Sequence, residues 1–273
     1  MKKYFYFIAI LAFLLSACSL TDKFFGGNDC TGQVDIVAQT FETYKNKTQD
    51  IGNLIEKSGV LKLAGESLKE NFPKVTSWIG DLPRLDMVHK EATRYLLSSN
   101  MNFLKAVGEQ DVLNNLEKDL SSLSKNASED EKQAKYLKML SDPALQNKMQ
   151  ELSSSSQQIS SDKKGFLDKA YAHLTYALVY DAASVGLSSL VVTEGQSQIE
   201  SIKSSTSDPV ALAKQSKCLQ ESVSTATDIV NEATQQVTPA VSIYNSIVQL
   251  YSKNGYSLPE ITSAEGKPIT TDL

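Results

Sequence analysis

An all-α bundle of long, mostly antiparallel helices with an extended C-terminal tail is the fold class this sequence predicts. Three observations predict it. From Val34 onward the apolar residues recur at i, i+3 and i+4. No turn signal is flanked by alternating apolar residues as a hairpin requires. No repeat of solenoid length interrupts the helical rhythm.

Each element follows in order. Val34, Val37, Ala38, Phe41 and Tyr44 start the first helical stretch, which continues through Ile51, Leu54 and Ile55. Gly59 and Gly65 weaken what comes next, and Pro73, Gly80 and Pro83 mark a turn region around Trp78. Helices are expected from about Arg84 to Val107 and from Asp111 to Ser124. Ser128 with Glu131 three places later has the spacing of a capping box, so a helix should start there. Pro143 suits the first turn of the next one. The Ser- and Gln-rich run 153–161 reads as a loop. The longest periodic segment spans roughly 161–204. Asp208-Pro209 should open a helix reaching about Gln236, and Pro239 should open or kink the last one, which stops near Asn254-Gly255. Pro259, Gly266 and Pro268 keep residues 256–273 extended.

The N-terminus has a different chemistry. Lys2 and Lys3 precede the apolar run Tyr4 to Leu15, followed by the small residues Ser16 and Ala17 and then by Cys18. The run is shorter than the about 20 residues of a membrane-spanning helix, so it reads as a removed signal segment. Leu15-Ser16-Ala17-Cys18 resembles the lipobox of bacterial lipoproteins. The resemblance covers residues 1–18 only. It implies cleavage before Cys18, a thioether-linked diacylglycerol on that cysteine and an acyl chain, such as palmitate, on the new amine. The expected address is the cell envelope, with the membrane held through acyl chains. In a two-membrane host, Ser19 in place of an inner-membrane Asp signal favours the outer membrane. The expected organisation is a signal peptide 1–17, a lipidated tether 18–29, a helical domain 30–255 and the tail 256–273. A tether of this length reaches about 20 Å, which keeps the body near its membrane.

Charge narrows the partners. The chain has 27 Lys and Arg and 32 Asp and Glu; losing Lys2 and Lys3 leaves 25 against 32, a formal charge of −7. That balance argues against nucleic acid and gives no attraction to anionic lipid. Arg84 and Arg94 are the only arginines, too few for a clustered phosphate site. Cys30 and Cys218 remain, and outside the cytoplasm they are expected to pair as a disulfide worth about 4–5 kcal/mol by loop entropy.

Candidate chemistry is sparse. Ala170–Val192 contains no Lys or Arg, and Asp181 is its single acidic residue. A helix at the centre of a bundle explains that composition better than a membrane span does, because an Asp at bilayer depth is costly. Asp181 shares a stripe with Leu167, Tyr171, Leu174, Leu178, Val185 and Val192, so it needs a buried partner. Arg94 is the expected partner, with a Lys stem or a Tyr hydroxyl as alternatives. Asp86 and His89 share a helix face and Glu91 turns away, which reads as solvated helix residues before it reads as a metal fragment. His173 falls with Tyr176 and Tyr180 and reads as packing. No metal site, cofactor or catalytic constellation is expected: HExxH, a Gly-rich phosphate loop and GxSxG are all absent from the sequence. The expected role is non-catalytic, structural or interaction-based, with an envelope protein as partner. The competing classes are a membrane-active helical protein, a small-ligand binder and an enzyme whose site is assembled only in space.

Overall fold

A computed structural model describes residues 36–44, 53, 85–124, 126–154, 158–205 and 209–261; the side chains of residues 41, 153, 154, 205, 209–215 and 218 fall outside that description. All of these residues belong to a unit spanning Gln33–Leu273. The leader, Cys18 and Cys30 lie outside the described residues, as does the side chain of Cys218, so the lipidation and disulfide expectations do too.

The described residues form seven helices and no strand: α1 (Ile36–Tyr44), α2 (Leu85–Val107), α3 (Gln110–Ser121), α4 (Glu129–Leu140), α5 (Pro143–Ser154), α6 (Lys164–Ser205) and α7 (Pro209–Lys253). Local chemistry sets several ends. Ser128 Oγ accepts from the Glu131 N–H, and the Glu131 side chain accepts from the Ser128 N–H, which completes the capping box of α4. Gly108 and Gly255 adopt φ of 84° and 68°, the left-handed conformation that closes α2 and α7. At each closure the following N–H reaches back five residues, Glu109 to Leu104 O and Tyr256 to Tyr251 O.

The 42 residues of α6 make a rod of about 63 Å that forms the axis of the bundle. Its apolar residues are distributed around the helix, as a centrally buried helix requires, and every residue from Ala170 to Ser184 except His173 is buried. The helix is long and apolar enough to cross a membrane, but 78% of its apolar window is buried inside the bundle. It packs most extensively against α2 and α7. Contacts fix the directions. His89 meets Asp181 and Ser99 meets Ala170, so α2 and α6 are antiparallel. Tyr171 meets Tyr244 and Asp168 meets Tyr251, so α6 and α7 are antiparallel as well. It follows that α2 and α7 run parallel, with α4 and α5 packed on their side of the bundle.

Pro239 corrects one expectation. It neither ends nor opens a helix but sits inside α7, which is continuous from Pro209 to Lys253. The missing N–H costs the bond to the carbonyl of Gln235. Packing on both sides of that turn, through Gln236 and Val237 before it and Ala240 and Val241 after it, outweighs the loss.

Gly195 shows how closely α6 and α7 approach. A Cβ built there would lie 2.5 Å from Val223 Cγ2. Gly195→Ala should therefore lower stability by about 1–3 kcal/mol through overpacking, although Ala is the better helix former. Chemical denaturation checks it, and adding Val223→Ala should recover most of the loss. If Gly195→Ala alone raised stability, the close contact would be wrong.

Candidate functional site

Three polar layers cross the bundle beside α2. In the first, His89 of α2 lies between Asp181 of α6 and Glu232 of α7. Nδ1 is 3.3 Å from Asp181 Oδ1, and Nε2 is 3.1 Å from Glu232 Oε2. One helical turn on, Thr93 Oγ1 donates to the His89 carbonyl and accepts from Gln133 Nε2 of α4 and Gln236 Nε2 of α7. The step from 89 to 93 matches the step from 232 to 236, so the two layers pin the register of α2 against α7. In the third, Arg94 pairs with Glu91 at 2.8 Å and with Glu129 of α4.

These contacts correct the expected Asp181–Arg94 pair. Asp181 is fully buried as its stripe required, but its partner is His89. The reason is helical geometry: residues 89 and 94 lie about 140° apart around α2 at 100° per residue. The face that turns His89 to α6 turns Arg94 to α4. His89 is likewise not a solvated residue, being only 3% exposed. Asp86, its expected neighbour, pairs instead with Lys90 at 3.1 Å. Glu91 does turn away from His89, but inward against Arg94, where burial pushes its carboxyl up. His173 packs as expected: its ring lies 5.7 Å from that of Tyr95, and Nδ1 is 2.9 Å from Ser98 Oγ.

The protonation of the first layer follows from its partners. Ionised carboxylates only accept, so His89 serves both only when both ring nitrogens carry hydrogen. Burial acts against that charge, but hydrogen bonds to Asp181 and Glu232 outweigh it and carry the ring up to about 9. Burial pushes Asp181 up too, opposed by the imidazolium. Asp181 Oδ2 has no hydrogen-bond partner, nor do the buried Ser184 and Ser188 hydroxyls farther along α6.

A pH dependence follows. A histidine raised in the folded state stabilises it fully below its unfolded value, about 6.5, and loses that contribution as pH rises through about 9. Urea midpoints should fall between pH 6 and pH 9.5 by the equivalent of on the order of 2–3 kcal/mol, and the slope should shrink when His89 is replaced. A flat profile in the parent chain would refute a charged His89.

The geometry limits what this layer can do. The carboxylates sit on opposite ring nitrogens and converge on no common point, and no metal-holding group of three His, Cys, Asp or Glu occurs among the described residues. An Asp–His pair activates a nucleophile when its free nitrogen faces a hydroxyl or thiol; here that nitrogen faces Glu232.

Glu232 also lines a half-open groove of about 730 Å³ between α2, α4, α5 and α7. Leu96, Leu145, Met149, Ala240 and Ile243 form its apolar walls and are buried. Asn100, Gln146, Gln235 and Gln236 add amides, and Pro239 places the turn lacking a helical hydrogen bond on the same wall. The sequence pointed to Asp181 but not to Glu232 or Asn100; both are isolated polar residues on otherwise ordinary helical patterns. No protein-family model, curated protein or solved structure matches this chain.

Proposed function

We propose that this chain is a lipid-anchored protein of the bacterial cell envelope that acts by binding rather than catalysis, with the groove between α2, α4, α5 and α7 as its ligand seat. The lipobox-like Leu15-Ser16-Ala17-Cys18 supports the anchor. The groove carries the binding role: its volume falls in the range of small-molecule sites, about 300–1,000 Å³, and its walls combine apolar surface with polar side chains. That combination favours a small ligand over the protein partner expected from composition alone. Burial of most of the apolar window of α6 argues against a membrane-active role.

Two measurements test the reading. Labelled palmitate should enter the chain and be lost in Cys18→Ser. A photo-crosslinking residue at Gln146, on the groove wall, should yield adducts of small mass in intact cells, and Leu145→Trp should suppress them. Absence of acyl label would refute the anchor. A protein-sized crosslink that persists in Leu145→Trp would refute the small-ligand seat.

A further inference from the structure

Resting on that reading, the chemistry of the groove specifies its occupant. Of the acidic residues near its Glu232 end, Glu232 alone lines the groove, and two further carboxylates stand behind it. Asp181 and Glu232 flank His89, and Asp228 lies one turn before Glu232 on the same face of α7. Burial and the charge of Glu232 both push Asp228 up, so negative charge is crowded there. His89 has both ring nitrogens engaged and offers no further donor. Lys138 lines the α4 wall but is exposed, so its charge is solvated.

A second observation is independent of that charge. Asn100 lines the groove, is only 4% exposed, and its Oδ1 has no hydrogen-bond partner. A buried amide oxygen left unpaired is costly unless a ligand or water donates to it. His89, held by Glu232, and Asn100 are about 16 Å apart along α2 at 1.5 Å per residue. Between these ends Leu96 of α2 and Met149 of α5 supply apolar wall, alongside the amides of Gln235 and Gln236. We infer that the groove takes an elongated amphiphilic cation: an ammonium beside Glu232, an apolar body over Leu96 and Met149, and an N–H or O–H donor at the Asn100 end.

Three probes with the same ten-carbon body separate the possibilities: 10-amino-1-decanol, 1,10-decanediol and 10-hydroxydecanoate. Each is titrated calorimetrically against the full lipid-anchored chain in nanodiscs, with empty nanodiscs subtracted. The amino alcohol should bind about ten-fold more tightly than the diol, with the hydroxy acid weakest. Glu232→Gln should remove most of the preference for amine over diol. Asp228→Asn, which leaves the His89 contacts intact, should reduce the preference by about three-fold. Leu145→Trp should abolish binding of all three, with helical content by circular dichroism confirming that each variant is folded. If the hydroxy acid binds as tightly as the amino alcohol, or neither carboxylate substitution alters the preference, the cationic head is wrong while the groove remains a ligand site. If no probe binds, or Leu145→Trp leaves binding intact, both the inference and the ligand-seat reading fail.

Discussion

His89→Leu is expected to lower the free energy of unfolding by about 3–5 kcal/mol, the usual cost of removing one partner of a buried charge pair. The loss comes from what remains behind. Asp181 is fully buried, and its Oδ2 already has no partner. Without the imidazole its Oδ1 is stripped as well, and the carboxyl must either stay charged in an apolar surround or take up a proton. Either course costs stability at neutral pH. Replacing both residues, His89→Leu with Asp181→Leu, removes the stranded group and should recover most of the loss, because two apolar side chains can fill the space. A double-mutant cycle by urea denaturation therefore should show strong coupling between 89 and 181. The corresponding cycle between 94 and 181 should show none, since Arg94 is committed to Glu91 and Glu129. Additive losses at 89 and 181 would refute the buried pair.

That contrast shows where sequence reasoning stops. Features written in neighbouring residues were legible: Ser128 and Glu131 form their capping box, Gly255 closes α7, and most of Ala170–Val192 is buried at the centre. Asp181 was legible as a polar residue on an apolar stripe. Its partner was not, because it stands 92 residues away on another helix. Charge alone favoured arginine, which is always ionised, over a histidine that must be protonated by its surroundings. Those surroundings include Glu232, 143 residues from His89 on a third helix. Pro239 does not open a new helix, one of the two roles expected of it, for a related reason. The local cost of a proline is fixed by the sequence, whereas the burial that offsets it along α7 is set by packing.

Tyr95→Ala should cost a further about 3–5 kcal/mol, the range for deleting a fully buried aromatic side chain. Tyr95 is 0% exposed and wedges α2 against α6. Its ring centroid lies 5.0 Å from that of Tyr176 and 5.7 Å from that of Tyr180, in tilted arrangements that favour edge-to-face contact. Burial also pushes its hydroxyl far above the ordinary tyrosine value, so the ring remains neutral. Deleting it leaves a cavity on the same α2–α6 seam that holds His89 against Asp181. Tyr95→Phe keeps the three-ring contact and removes only the hydroxyl, so its cost should be about 1 kcal/mol. The pair of variants separates ring packing from hydroxyl bonding: similar losses in both would assign the stabilisation to the hydroxyl. Tyr95→Phe should also retain the fall in stability between pH 6 and pH 9.5, because the titrating ring belongs to His89 and its two carboxylates are unchanged. A pH slope lost in Tyr95→Phe but retained in His89→Leu would move the titration away from His89.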